Sequence, residues 1–187
     1  MSTAEELQVQ LEFTPNPDTL KYQTNRTLLP TGAANFVNAE AAIGKSPLAE
    51  ELFKIPEVSA VMVGRNFITV TVTNQDLLME LNDKLTEIIR NFLLAGGIAV
   101  NADAMAKPST PVTEIEQKIC KILDEEIRPA VAMDGGDITF EKYQDGFVYL
   151  KMQGSCAGCP SSMMTLKQGV ETRLREAVPE IQEVIPV

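Results

Sequence analysis

Residues 101–112, which read NADAMAKPSTPV, divide the chain into a first half, residues 1–100, and a shorter second half, residues 113–187. Small residues and two prolines interrupt any helical or strand pattern there, which is typical of a linker. The halves on either side alternate strand and helix patterns, and each is long enough for one small domain. We therefore predict an α/β (α+β) protein of two small two-layer domains, at residues 1–100 and 113–187, joined by a linker at residues 101–112.

The first half contains strand patterns followed by a long amphipathic helix. Two runs rich in β-branched residues flank Gly64-Arg65-Asn66, which indicates a hairpin. Asp76 is placed to cap the long helix, and Gly96-Gly97 to end it. The predicted elements are strands at residues 7–13, 58–63 and 67–72 and helices at residues 47–54 and 77–92. This half contains no cysteine, so it cannot supply a thiolate ligand.

The second half has the pattern α-β-β-α-β, which predicts a small two-layer domain. Its first helix is expected to stop at Pro129, because proline has no N–H for the helical hydrogen bonds. Asp145-Gly146 marks a hairpin between the first two strands. A Cys-x-x-Cys turn precedes the second helix, which is expected to begin at Pro160. The predicted elements are helices at residues 113–127 and 160–177 and strands at residues 138–143, 147–152 and 181–187.

Few types of reactive side chain are present. The chain has no histidine, which excludes imidazole-based triads, histidine general bases and histidine-containing metal sites. Three cysteines in 187 residues are too few for a disulfide framework and suit a reducing compartment. The formal net charge of -10, without a cluster of Lys and Arg, argues against nucleic acid and anionic membranes as partners.

The first residues of the sequence bear on location. They lack the apolar core of a signal peptide and the Arg-rich character of a transit peptide. No later run is long and apolar enough to span a bilayer. The expected location is the cytoplasm of a bacterium, or the mitochondrial matrix if a transit peptide has been removed.

The strongest local signal is the pair Cys156-x-x-Cys159 in the run GSCAGCP. Two thiols at this spacing in a tight turn can ligate one soft metal centre or form a disulfide. With Pro160 as the first helical residue, Cys159 becomes the N-cap, and the positive end of the helix is expected to favour the thiolate form. Gly154 and Gly158 allow the backbone to bend closely around an inorganic group.

One chain does not complete a metal site of this kind. Iron–sulfur clusters normally take four thiolates, and a tetrahedral zinc site without histidine also needs four. A symmetric dimer in which two such turns meet would give the missing pair. The resulting centre would be shared and exposed, which suits delivery better than electron storage.

Other side chains near the motif are predicted to be structural. Cys120 lies beside the apolar face of the first helix and behaves as a small hydrophobe. The run Asp134-Gly135-Gly136-Asp137 is predicted to be a turn and not a cation site. Met163 and Met164 are predicted to belong to the core and to a lid over it, and the acidic run at residues 124–126 to be a solvated helix face.

The runs MDGGDITF, GSCAGCPSSMMTLKQGVE and PEIQEVIPV resemble the C-terminal domain shared by NifU and Nfu proteins, over about residues 113–187. The stretch CAGCPSS-x-x-TLK-x-G-V-E is highly specific. The runs TPNPDTLKY and SPLAEELFKIPEVSAVMVGRNFITVT are similar to the N-terminal domain of Nfu-type proteins. Leu77 stands where that family often has a Trp near the start of the long helix, which puts no ligand in doubt.

The resemblance implies an iron–sulfur cluster scaffold and carrier, and not an enzyme. In the family, the two CxxC thiolates of each chain, here Cys156 and Cys159, hold a [4Fe–4S] cluster at the interface of a homodimer. A [2Fe–2S] cluster is the alternative cluster type. The cluster would be loaded by an upstream scaffold or carrier and delivered to apo iron–sulfur recipient proteins, and the N-terminal domain would assist in recognising partners.

Two alternatives use the same thiols. A thiol–disulfide oxidoreductase also places CxxC before a helix, but there the motif is expected near a βαβ pattern, whereas here it follows a hairpin. A structural zinc-bridged dimer is the second alternative, and the ligand types alone do not separate it from an iron–sulfur centre.

Overall fold

The structure is a computed structural model that describes residues 6–104, 111–157 and 160–187. The chain forms two compact units, with the division between residues 105 and 106. Residues 101–104 lie in the predicted linker but belong to the first unit. The backbone N–H of Asn101 donates to Lys45 O at 2.7 Å, and its side chain donates to Gly44 O at 2.9 Å. These bonds hold Asn101 to the first unit, while the linker at residues 101–112 stays a prediction.

The first unit is built on a five-stranded antiparallel sheet. Its strands lie in the order β1-β2-β5-β4-β3, and helices α2 and α3 pack against them. The strands are β1 Val9–Phe13, β2 Thr19–Thr24, β3 Ala34–Phe36, β4 Val58–Val63 and β5 Phe67–Val72. The helices are α1 Ala39–Ala42, α2 Pro47–Leu52 and α3 Leu78–Leu94. The predicted β4–β5 hairpin is confirmed, whereas β2 and β3 were not predicted.

The start of the long helix differs from the prediction. A short 3₁₀ turn, Gln75–Leu77, precedes α3, and the side chain of Asn74 accepts the backbone N–H of Asp76. Asp76 is therefore inside the helical turn, and Asn74 is the capping residue. Gly96 follows the helix with φ +74°, a backbone conformation that glycine adopts without steric cost, so the predicted end is confirmed.

The second unit has the predicted order α-β-β-α-β around a three-stranded sheet. Strands β6 and β7 form an antiparallel hairpin, and β8 pairs with β7 in parallel. Asp145 and Gly146 both have positive φ in the hairpin turn, as a type I′ turn requires. The elements are α4 Glu114–Ile122, α5 Arg128–Met133, β6 Gly136–Gln144, β7 Phe147–Gly154, α6 Pro160–Ala177 and β8 Glu183–Pro186.

The helix does not stop at Pro129. A π turn, Leu123–Ile127, connects α4 directly to α5, and Pro129 is the second residue of α5. The N–H of Arg128 donates to Leu123 O, five residues back. The wider turn gives the proline ring room near the carbonyl four residues before it, which a regular α-helix would not. The prediction of an end at Pro129 is therefore wrong.

Each unit has its own core. Buried residues of the sheet and of α2 and α3 fill the first, with Tyr22 and Leu85 fully enclosed. The second core contains Ile119, Leu123 and Ile138 together with residues of β7, α6 and β8. Within the described ranges, no helix is long and apolar enough to cross a membrane. The mixed α/β (α+β) class is confirmed.

Candidate metal centre

Cys156 lies in the turn that leads from β7 to α6. Strand β7 ends at Gly154, whose φ of +64° turns the chain, and the N–H of Ala157 donates to Gly154 O at 3.0 Å. Helix α6 begins at Pro160, as predicted. Gly158 and Cys159 lie outside the described residues, so the N-cap role of Cys159 stays a prediction.

The thiol of Cys156 rests against the backbone of Gly136. Gly136 is the first residue of β6 and pairs with Gly154 at the end of β7. A Cβ built on Gly136 would lie 2.1 Å from the Sγ of Cys156. Cys156 is only 6% exposed and belongs to the second core. Glycine at position 136 thus provides the space in which the sulfur lies.

Ser155 fastens the same turn to the residues before β6. Its backbone N–H donates to Gly135 O at 3.1 Å, and its hydroxyl donates to Asp134 O. Ser155 is 3% exposed, so both bonds are shielded from water. The run Asp134-Gly135-Gly136 therefore supports the cysteine turn, which is more than the simple turn that the sequence predicted.

A buried ion pair stands next to this support. Asp137 is 5% exposed, and its carboxylate accepts two hydrogen bonds from Arg128, Nε to Oδ1 at 2.8 Å and Nη2 to Oδ2 at 3.0 Å. Arg128 also donates to Asp124 at 2.8 Å. Sequence reasoning missed this pair. The sequence shows only that Arg128 precedes a proline and that Asp137 stands at the start of a strand. Neither position indicates that the two side chains are in contact.

Comparison with known proteins gives the same two-part division. The model of the NifU-like domain matches residues 119–185, and the model of the scaffold protein Nfu/NifU N terminal matches residues 9–96. The human NFU1 iron-sulfur cluster scaffold homolog, mitochondrial, is 38% identical over 179 residues, which cover 94% of this chain and 70% of that protein. The chain belongs to the Nfu family.

Further relatives agree with this assignment. The Drosophila grimshawi NFU1 iron-sulfur cluster scaffold homolog, mitochondrial, is 37% identical over 180 residues. The match covers 94% of this chain but 60% of that relative's length. The solution NMR structure of the NifU-like protein from Saccharomyces cerevisiae covers 55% of this chain and 91% of its own, with 21% identity and a TM-score of 0.46. At that TM-score the likeness adds nothing to the assignment.

The electrostatic setting of Cys156 in the Nfu chain differs from the expectation. Burial raises the pKa of the Cys156 thiol to about 11, the hydrogen bond with Ser155 lowers it, and the charges of Asp134 and Asp137 raise it further. The prediction that the helix end favours the thiolate is wrong for Cys156 in this conformation. Burial of the sulfur is the largest cause of the raised pKa.

Cys120 has the packing role that was predicted. It lies on α4 and packs, half-buried, against the second core of the Nfu chain. Burial and the nearby Asp124 and Glu116 raise its pKa. Among the described residues, no group of three or more His, Cys, Asp or Glu side chains is close enough to hold a metal ion.

One other prediction needs correction, and one is confirmed. Met164 is 66% exposed, so it is not part of the core, and the side chain of Met163 lies outside the described residues. The acidic run at residues 124–126 is exposed, as predicted for a solvated helix face, and two of its residues also form ion pairs. Asp124 pairs with Arg128, and Glu126 accepts two hydrogen bonds from Arg173 of α6 at 2.6 and 2.9 Å.

The topology removes one argument against a thiol–disulfide oxidoreductase. Strands β7 and β8 are parallel and are connected through α6, so the CxxC turn of the Nfu chain begins the crossover of a βαβ unit. The motif therefore lies within such a pattern, and the prediction that it does not is wrong. In this conformation the Cys156 thiol is buried and its pKa is raised, which disfavours disulfide exchange and metal ligation alike until the sulfur is exposed.

Proposed function

We propose that this protein is an iron–sulfur cluster scaffold and carrier that binds a [4Fe–4S] cluster through Cys156 and Cys159 of two chains. The observation that carries the proposal is the supported cysteine turn between β7 and α6, inside the region matched by the NifU-like domain model. Relatives named as iron–sulfur cluster scaffold homologs support the same function. A scaffold holds its cargo and needs no catalytic group.

The donor chemistry fits an iron–sulfur cluster as cargo. Thiolates are soft ligands that suit iron–sulfur clusters, and a cluster takes four of them. One chain offers two in the CxxC turn, and Cys120 is used in packing. Two chains related by a two-fold axis supply four ligands of one type. The cluster therefore requires a homodimer, whereas the apo-protein does not.

Cargo binding requires Cys156 to leave its buried position. In the structure the residue is 6% exposed and the sulfur lies against Gly136. A cluster shared between two chains needs the sulfur at the surface, and a change of side-chain rotamer or a shift of the turn brings it there. The thiol must also lose its proton, so binding releases protons and favours the exposed form.

Exposure of the bound cluster suits transfer. A cluster held by two chains is lost when either turn withdraws, which makes delivery to an apo iron–sulfur protein easy. An upstream scaffold or carrier would load the same site. The relatives named mitochondrial favour the mitochondrial matrix as the location, and a bacterial cytoplasm offers the same reducing conditions. In this proposal the N-terminal domain assists in recognising partners.

Anaerobic reconstitution tests the proposal against both alternatives. With iron and sulfide, the full chain should give the absorption and Mössbauer spectra of a [4Fe–4S] cluster, with about four iron and four sulfide per two chains. Transfer to an apo-enzyme should continue in the presence of a chelator that captures free iron. A colourless protein that retains zinc, or one that turns over disulfide substrates without binding iron, would contradict the proposal.

A further inference from the structure

We infer that Arg128 is a positioning residue for the cluster-binding turn, acting through Asp137 on the backbone that supports Cys156. The inference rests on the proposed function, because it concerns how firmly the turn is held when cargo is bound. The contact chain runs from the guanidinium of Arg128 to the carboxylate of Asp137, then to Gly136, and from Gly136 to the Sγ of Cys156.

The first step is the buried ion pair. Arg128 reaches both oxygens of Asp137 in a two-bond arrangement that fixes the orientation of the carboxylate as well as its position. The Asp137 side chain is 7% exposed and that of Arg128 is 26% exposed. Removing the arginine would leave an uncompensated buried charge, which favours movement of Asp137 toward water.

The second step is the backbone that follows Asp137. Asp137 pairs with Gln153, Gly136 pairs with Gly154, and Ser155 donates to Gly135. The last residues of β7 therefore lie directly beside the first residues of β6. A displacement of Asp137 shifts the neighbouring Gly136 with it. Gly136 packs so closely against the sulfur of Cys156 that a Cβ on it would lie 2.1 Å from the Sγ, so the shift also displaces the sulfur.

The π turn explains how Arg128 comes to face β6. The π turn at residues 123–127 contains one residue more than the corresponding turn of an α-helix. The N–H of Arg128 donates to Leu123 O, five residues back, instead of to a carbonyl four residues back. An extra residue rotates everything after it by about 100° relative to a regular helix. A continuous α-helix would therefore direct residue 128 away from Asp137. Turns of this type are frequent at functional sites.

The test compares Arg128→Gln and Arg128→Lys with Arg173→Gln in the full chain. Arg173 is the matched control, because it also makes two hydrogen bonds to a carboxylate, that of Glu126, but on exposed surface away from the cysteine turn. The first readout is the half-life of the reconstituted cluster against a chelator. We expect it to fall about 10-fold in Arg128→Gln and less in Arg128→Lys, which keeps the charge, and to be unchanged in Arg173→Gln.

The second readout uses the apo-protein and needs no cluster. Hydrogen exchange of the Ser155 amide, which donates to Gly135, should become about 10-fold faster in Arg128→Gln, while amides of the first unit keep their rates. Arg173→Gln should leave the Ser155 amide unchanged. A general destabilisation would accelerate exchange throughout the second unit, and this outcome would overturn a positioning role.

The two readouts separate the two proposals. If the unsubstituted protein takes up no cluster, the proposed function fails, while the exchange measurement still tests the link from Arg128 to the turn. If that protein binds the cluster and Arg128→Gln keeps it equally long, the inference about Arg128 is wrong. Should Arg128→Gln fail to fold, Arg128→Lys decides, and a cluster half-life equal to that of the unsubstituted protein would overturn the inference.

Discussion

The Sγ of Cys156 occupies the space that a side chain on residue 136 would need, since a Cβ there would lie 2.1 Å from the sulfur. The same Cβ would lie 3.1 Å from Gln153 O, so the backbone of β7 also crowds this position. Glycine is needed at this position for space and not for its backbone conformation, since the φ of Gly136 lies outside the left-handed region. This contact links the first residue of β6 to Cys156, the candidate ligand.

Gly136→Ala should therefore displace Cys156 and reduce cluster binding. We expect the free energy of unfolding of the second unit to fall by about 1–3 kcal/mol, as for other overpacked sites, and iron per dimer to fall after reconstitution. Denaturant titration and iron analysis measure the two effects. Gly169→Ala is the control, because the region around Gly169 is open and the change improves helix propensity in α6. Equal cluster binding in both variants would contradict the steric argument.

Ser155→Ala removes the hydroxyl that donates to Asp134 O. We expect a loss of about 1 kcal/mol of stability from the missing hydrogen bond, together with faster loss of the cluster, because the turn becomes less firmly held. Thermal unfolding and the decay of cluster absorption provide the measurements. In Ser59→Ala, which removes a hydroxyl bond to Thr71 O in the first unit, stability should change similarly and cluster decay should not. A similar decay rate in both variants would show that Ser155 does not support the turn.

Local patterns predicted much of the fold. The two hairpins have alternating or β-branched strands around turn residues, and Pro160 marks the start of α6 through its fixed φ. These signals lie within a few residues of one another. Strand β2, with the sequence TLKYQT, was missed because polar residues interrupt its apolar pattern. Lys21 is buried there beside Glu12, at 2.7 Å, and above the ring of Phe67.

The parts of the site that escaped prediction depend on contacts between distant segments. Parallel pairing of β8 with β7 follows from the path of α6, and a strand pattern is the same in either direction. The Arg128–Asp137 pair depends on the π turn, which cannot be recognised from helical periodicity alone. Burial of Cys156 reverses the expected effect on its pKa, because the sequence indicates the position of a helix end but not the depth of the sulfur.

The second half should bind the cluster without the first. Its core is formed by residues of the second unit alone, and the first half has no cysteine. Residues 108–187 expressed alone should fold and reconstitute a coloured cluster with the same spectra as the full chain. Circular dichroism and absorption spectra check folding and binding. A folded but colourless fragment beside a coloured full-length protein would show that the first half contributes to the site.

Cluster binding should also control the oligomeric state. Because each chain offers two thiols in the turn, the binding free energy favours the dimer by mass action, and removal of iron should return the protein to monomers or weak dimers. Cys156→Ala or Cys159→Ala leaves two turn thiols per pair of chains and should abolish both colour and cluster-dependent dimerisation. Cys120→Ala should preserve both, because that side chain packs against the second core. Size-exclusion chromatography with light scattering, combined with iron and sulfide analysis, measures each variant. A monomer that holds a full cluster, or loss of the cluster in Cys120→Ala, would exclude a site shared between two CxxC turns.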